Sequence, residues 1–207
     1  MDMIECRAVG AMGANCYLVS CPETKKAALI DPGANGPGIQ EWVDERGVQV
    51  EYILLTHGHF DHIGAVDKLR ELYQAKVGIH KEDAVMLTSG AHNLSRMLGR
   101  SYEFKPADFL LEDGQILQVG NLNLTVIATP GHTLGGVCFL TSEGLLSGDT
   151  LFDGSIGRTD FPGGSYDELI KSVVKKLLVL PEDTKVYPGH GPETTIGREK
   201  RENPFLQ

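Results

Sequence analysis

Basic residues are in short supply: 19 Lys and Arg against 28 Asp and Glu leave the 207-residue chain with a formal charge of -9. A surface that tracks nucleic-acid phosphates needs clustered Lys and Arg, so no nucleic-acid partner is expected. A small anion in a local cationic pocket stays open, because net charge describes the far field and not one cleft. Long apolar runs are missing too. No stretch approaches the roughly 20 apolar residues of a membrane helix, and Met1-Asp2-Met3-Ile4-Glu5 lacks the basic start and apolar run of a signal peptide. The expectation is a cytoplasmic protein with no membrane partner. Cysteines number only four, Cys6, Cys16, Cys21 and Cys138, and none forms a CxxC pair, which argues against a thiolate metal site or a disulfide framework. Most of them read as small apolar residues of the interior. Low-complexity linkers are absent as well, so residues 1–207 are read as one domain.

What is present is an alternation of short apolar runs with longer helical patterns, which predicts an α/β body. Residues 27–30, 52–55, 124–128, 144–146 and 185–187 read as strands, as does the run 76–79. The pairing of 137–140 with the segment at Leu145 suggests an antiparallel hairpin, so the sheets are expected to be mixed. Helices are predicted over 38–46, 62–74, 81–88 and 166–179. The last carries Leu169, Ile170, Val173, Val174, Leu177 and Leu178 on one stripe, opens with the capping-box pair Ser165 and Glu168, and ends before Pro181. Gly90, Gly99 and Pro106 interrupt residues 90–108, predicting a mobile surface segment.

Several apolar runs end in a side chain able to bind metal, beside a glycine or proline: Ile30-Asp31-Pro32-Gly33, Leu55-Thr56-His57-Gly58-His59, Thr129-Pro130-Gly131-His132, Ser147-Gly148-Asp149 and Pro188-Gly189-His190. In open α/β sheets ligands gather beyond the carboxyl ends of strands, so these endings imply convergence. In extended backbone His57 and His59 project to the same side and can share one cation. Asp61 and His62, at the start of the next helix, can face a second. Asp149 has two oxygens and can bridge cations about 3.5–4 Å apart. Two dications, less Asp61, Asp149 and a bridging hydroxide, leave one net positive charge. Such a centre lowers the pKa of water from 15.7 towards about 7 and polarises a carbonyl, so no Ser or Cys nucleophile is needed. Imidazole and carboxylate suit zinc, with iron or manganese as alternatives. His80 and His92 stay outside this set.

The run Thr56-His57-Gly58-His59-Phe60-Asp61-His62 with a separate His132, Asp149 and His190 resembles the T-H-x-H-x-D-H pattern of the metallo-β-lactamase superfamily. Ser147 to Phe152, Gly157-Arg158-Thr159-Asp160-Phe161-Pro162-Gly163-Gly164 and the ending from Tyr187 through Asn203-Pro204-Phe205-Leu206 are similar to the short bacterial glyoxalase-II-like (hydroxyacylglutathione hydrolase-like) hydrolases. The resemblance implies an αββα sandwich of two mixed β-sheets flanked by helices. It implies His57, His59 and His132 on one metal, Asp61, His62 and His190 on the other, and Asp149 between them. Asp31 becomes either a residue that orients a ligand or a turn-former before Pro32-Gly33. The implied activity is hydrolysis of a small thioester such as S-lactoylglutathione. Glyoxalase II proper binds glutathione partly through an added carboxyl-terminal helical domain, which residues 191–207 do not supply, so tight glutathione binding is not implied. Arg158 is a candidate for a substrate carboxylate or for pairing with Asp160 or Asp153. The rival readings are a mononuclear-iron persulfide dioxygenase using His57, His132 and Asp149, a lactonase or β-lactamase, and a non-catalytic metal-binding module.

Overall fold

The computed structural model of the chain describes residues 3–34 and 36–207. β1 (Ile4–Val9), β2 (Ala14–Ser20) and β3 (Lys26–Ile30) pair antiparallel in sequence. β3 then pairs in parallel with β4 (Gln49–Leu54), β4 with β5 (Lys76–His80), and β5 with β6 (Phe109–Leu111). Parallel neighbours need crossovers, and α1 (Gly36–Arg46), α2 (Phe60–Ile63), α3 (Val66–Tyr73) and α4 (Ala84–Thr88) lie within them. The second half builds its own sheet from β7 (Ile116–Val119), β8 (Leu122–Ala128), β9 (Val137–Leu140) and β10 (Leu145–Gly148), each antiparallel to the next. A short hairpin of β11 (Leu151–Phe152) and β12 (Ser155–Ile156) and helix α5 (Tyr166–Ser172) follow. β13 (Lys185–Pro188) joins β10 in parallel, β14 (Thr194–Thr195) closes that edge, and α6 (Ile196–Glu202) ends the pattern. Both six-stranded sheets are therefore mixed, as expected.

The layers follow from side chains alternating across each strand. On β2 and β3, Tyr17, Val19, Ala28 and Ile30 pack against Leu124, Val126, Phe139 and Leu146 of the other sheet, forming the core between the sheets. Their neighbours Cys16, Leu18, Ala27 and Leu29 face the opposite way, against Ile39 and Trp42 of α1 and Val66 and Leu69 of α3. The outer face of the second sheet, through Cys138, Leu145 and Val186, is covered by Leu169 of α5, by Val173 and Leu177 just beyond it, and by Ile196 of α6. Helix, sheet, sheet, helix is the αββα sandwich that the resemblance implies. Cys16, Cys21 and Cys138 are buried free thiols and Cys6 is exposed.

Some elements depart from expectation. The single helix over 62–74 is two, because the backbone at Gly64 passes so close to Gly33 that a Cβ would lie 2.1 Å from its carbonyl oxygen, and Ala65 N donates to Pro32 O instead of continuing the helix. The 81–88 helix begins as a 3₁₀ turn over Lys81–Asp83. The 166–179 helix starts at the expected Ser165 cap but passes into a π-helical turn over Val173–Leu177. Residues 90–108 are irregular apart from a 3₁₀ turn at Ser95–Leu98, yet they are not a loose surface strip: Asn93 and Ser95 are fully buried. No helix among the described residues is long and apolar enough to cross a membrane.

Trp42, 1% exposed, is the largest side chain joining the outer helices to the first sheet. Replacing it with Ala is expected to lower unfolding free energy by about 3–5 kcal/mol, read from the urea midpoint. A loss below about 1 kcal/mol would show that this helical layer adds little to stability.

Candidate metal centre

Strand direction brings the site together. β3 and β4 run parallel, so Asp31 and the segment from Thr56 onward leave the same edge of the first sheet. In the second sheet β8 and β10 are both antiparallel to β9, and β13 is parallel to β10, so His132, Asp149 and His190 all follow carboxyl ends on one edge. Two backbone links register the edges against each other. Val137 N donates to Thr56 O at 2.8 Å, and Asn15 N donates to Gly189 O at 2.7 Å. Glycine at 189 is required by this approach, since a Cβ there would stand 2.1 Å from Asp149 Oδ1.

All seven expected side chains meet. His57, His59 and His132 present ring nitrogens within 4.8 Å of one another, and Asp61, His62 and His190 form a second such group. Asp149 lies between them, with Oδ1 3.5 Å from His62 Nε2 and Oδ2 3.6 Å from His132 Nε2 and 3.8 Å from His190 Nε2. Hydrogen bonds at the far side of the rings fix which nitrogen is free. Thr56 Oγ1 gives its proton to Asp31 Oδ2 at 2.5 Å, so at 3.1 Å it accepts from His57 Nδ1. His62 Nδ1 donates to the same Asp31 oxygen at 3.0 Å, and His132 Nδ1 donates to Arg158 O at 2.7 Å. Each of these rings thereby turns its Nε2 toward the centre, the atom that a metal ion would take. Asp31, at φ 50°, thus orients two histidines through its carboxylate as well as turning the chain before Pro32.

The chemistry of the donor set fits a metal ion. His57 Nε2 and Asp149 Oδ1 are buried and have no hydrogen-bond partner. His59 Nδ1 and His132 Nε2 face each other at 3.0 Å, as do His62 Nε2 and His190 Nε2 at 3.2 Å. Burial holds His57 well below the usual imidazole range, helped by the neighbouring His62, and holds His59 down at about 3. Burial would also depress His62, but the carboxylates of Asp149, Asp31 and Asp61 outweigh it and raise the ring to about 10. Asp61, which burial alone would raise, is brought down to about 2 by its hydrogen bond to His190 and the charge on His62. That hydrogen bond raises His190 in turn.

One residue of the site carried no signal in the sequence. Asp83, fully buried, accepts from Gly135 N and Thr133 Oγ1 at 2.7 Å and from Gly58 N at 3.3 Å, tying the His57–His59 segment to the His132 loop. It sits inside a helical pattern beside ordinary charged residues, Lys81 and Glu82, so only its partners reveal it. Arg158 reaches the cavity wall, but its Nε and Nη2 grip Asp160 at 2.7 Å and its guanidinium stacks 3.9 Å over Phe161. Asp153 pairs instead with Arg198. His80 accepts from Glu82 N, and His92 bonds Ser89, both outside the cluster.

Comparison with known proteins identifies the family and the fold. A model described as the metallo-beta-lactamase superfamily matches residues 9–190. The hydroxyacylglutathione hydrolase GloC of Haemophilus influenzae is 39% identical over 207 residues, covering 98% of this chain and 97% of that one. The crystal structure of the BLEG-1 B3 metallo-beta-lactamase superposes with a TM-score of 0.95 at 40% identity, covering 99% of this chain and 100% of that one. TTHA1623 in a di-iron-bound form gives 0.87 at 38% identity, covering 98% and 100%.

Two outcomes follow from the geometry. Asp83→Ala leaves the Gly58, Thr133 and Gly135 donors unpaired, and is expected to reduce stability by about 2–4 kcal/mol and to weaken metal retention; unchanged metal affinity would confine Asp83 to a purely structural role. In the metal-free protein, His62 adds stability that is complete below the unfolded imidazole value of 6.5 and is lost as pH rises through about 10. His59 acts oppositely, because the unfolded ring takes a proton below 6.5 that the folded ring refuses until about 3. Melting temperature in chelator should therefore peak near neutral pH, and a steady rise from pH 7 to pH 5 would contradict these assignments.

Proposed function

The chain belongs to the metallo-beta-lactamase superfamily, and from that premise we propose that it is a two-metal hydrolase of small thioesters, of the kind represented by S-lactoylglutathione. The observation that carries the reading is the convergence of both donor groups on one side of an open cavity of about 500 Å³, a size suited to a small molecule. His57, His59 and His132 would hold one ion and Asp61, His62 and His190 the other, with Asp149 contributing an oxygen to each. Zinc suits this donor set, and iron and manganese suit it too; the iron pair in TTHA1623 supports the latter breadth. When bound, such a pair supplies an ionised water at neutral pH and polarises the substrate carbonyl.

The protein's own groups do the rest. Asp61 is ionised, lines the cavity, and stands 3.3 Å from His190 Nε2, so its carboxylate can accept a hydrogen bond and orient a polar group at the reacting centre. Asp149 lines the same cavity. We take these two carboxylates as the catalytic pair. Among the described residues lining the cavity there is no Lys, Tyr or Cys. A leaving amine or alkoxide would call for a side-chain acid there, whereas a thiol, with an ordinary pKa near 8.5, departs as thiolate without one. This favours a thioester over an amide or ester. The hydroxyacylglutathione hydrolase named among the relatives supports the same class. A mononuclear-iron oxygenase would use only His57, His132 and Asp149, and would leave Asp61, His62 and His190 assembled without a task.

The test is metal analysis of the purified protein together with thioester hydrolysis. About two equivalents of metal, turnover, and loss of turnover on chelation are expected. Asp149→Ala should lower metal content and reduce kcat/KM by about 100-fold or more, since it removes an oxygen from each ion. Unchanged occupancy in that variant would sink the bridging role, and oxygen uptake with glutathione persulfide in place of thioester cleavage would replace the hydrolase by the dioxygenase.

A further inference from the structure

The cavity beside the histidines is unusual in what its wall presents. Away from the donor cluster, the lining is Met12, Leu94, Met97, Leu98, Phe152 and other apolar side chains, with Ser155 the one uncharged polar residue and Arg158 the one cation among those described. Three of the apolar residues are among the most exposed large ones in the protein: Met97 at 70%, Met12 at 59% and Leu98 at 53%. Exposed apolar side chains scattered singly mean little, but a cluster at the mouth of a cavity marks a surface kept free for a ligand. Arg158 offers an incoming anion little, because its charge is already matched by the two-pronged bond to Asp160 and its face is covered by Phe161.

The wall is also held in place at some expense to the backbone. Leu94 adopts φ 68°, a region that bulky side chains rarely enter, and its side chain lines the cavity. Asn93 sustains that turn from a buried position: its Nδ2 donates to Met86 O at 2.8 Å and to Tyr102 O at 2.9 Å, and its Oδ1 accepts from Ser95 N at 3.0 Å. Its own carbonyl accepts from Phe60 N at 2.9 Å, so the apolar ridge is bonded directly to the segment carrying His59 and Asp61. A surface strip with no role in recognition would not need a strained leucine anchored to the metal-binding loop.

We propose that this ridge, Met12, Leu94, Met97 and Leu98, is the specificity surface, and that the enzyme selects thioesters carrying a neutral aliphatic acyl chain over those of anionic glutathione. The proposal rests on the thioester reading above but adds the substrate's chemical class. Its basis is that each methylene moved from water onto an apolar wall gains a few-fold in binding, whereas the two carboxylates of glutathione would meet, among the described residues lining the cavity of a net acidic protein, no Lys or Arg but the already paired Arg158.

Two measurements test it. In the first, kcat/KM is compared for acetyl, butanoyl, hexanoyl and octanoyl thioesters of N-acetylcysteamine and for S-lactoylglutathione, on the metal-loaded enzyme. A rise of about threefold per methylene up to hexanoyl is expected, with hexanoyl exceeding S-lactoylglutathione. The double variant Met97→Ser with Leu98→Ser should flatten the chain-length dependence. Val179→Ser, which removes an equally exposed apolar side chain outside the cavity, should retain it. In the second, octanoate, acetate and glutathione are titrated calorimetrically, which needs no turnover; octanoate is expected to bind at least about tenfold tighter than acetate, and glutathione more weakly than octanoate. Thioester turnover with no chain-length dependence, or glutathione binding tighter than octanoate, would overturn the inference while leaving the hydrolase reading intact. Preferential octanoate binding by a protein that cleaves no thioester would keep the apolar surface and remove the thioester.

Discussion

Seven metal-capable side chains are held around one point by bonds made on the far side of the rings. His57 has its outer nitrogen committed to Thr56, His62 to Asp31, and His132 to the carbonyl of Arg158. Those bonds fix the ring orientations, and they bring His59 Nδ1 to 3.0 Å from His132 Nε2 and His62 Nε2 to 3.2 Å from His190 Nε2. So many imidazole and carboxylate donors, buried and aimed at one place, have the arrangement that a metal ion requires.

The burden of holding the rings falls on the junction of two half-sheets and not on a single loop. The first sheet contributes Asp31 and the stretch from His57 to His62, the second His132, Asp149 and His190, and neither half assembles the whole donor set. Their joint depends on a few backbone bonds, Val137 to Thr56 and Asn15 to Gly189, and on the buried Asp83, which spans the same gap through side-chain oxygens. The interleaved core of Tyr17, Ile30, Phe139 and Leu146 fixes the distance between sheets, and so fixes the distance between the donor groups. Core packing and metal geometry are in this sense one constraint, since interiors at crystal-like density do not stretch to suit a ligand.

The parts legible in the sequence were those with local grammar. Four ligand-type residues inside His57–His62, and the repeated Pro-Gly-His setting of His132 and His190, announce themselves without any knowledge of the fold. Apolar runs such as 124–128 and 185–187 give strands because burial between layers needs little else. Asp83 was invisible for the opposite reason: its three partners, Gly58, Thr133 and Gly135, are distant in the chain, and its neighbours are ordinary surface charges. The break in the 62–74 helix was hidden likewise, because it comes from Gly64 lying against Gly33, a tertiary contact that overrides a continuous helical pattern. Residues 90–108 read as a mobile surface segment because Gly90, Gly99 and Pro106 interrupt any long pattern; part of the order they have comes from Asn93, one side chain bonding three backbone groups.

Some of the strain and unmet bonding among the described residues falls where the chemistry is proposed. Asp31 and Leu94 both take left-handed backbone, and His57 Nε2 and Asp149 Oδ1 are buried without a hydrogen-bond partner. Each feature lowers the stability of the metal-free fold, by roughly 1–3 kcal/mol for such a backbone or unsatisfied group. A ligand that binds only the folded state returns that free energy, and the return grows with its affinity. The two stabilities are therefore linked: the more completely the protein orients bare nitrogens and carboxylates toward one point, the less stable it is alone and the more tightly it must hold its ions. Relaxing Asp31 or turning His57 outward would make a sturdier apoprotein and a poorer centre, so the strain at this edge of the sandwich is the counterpart of preorganisation for a metal.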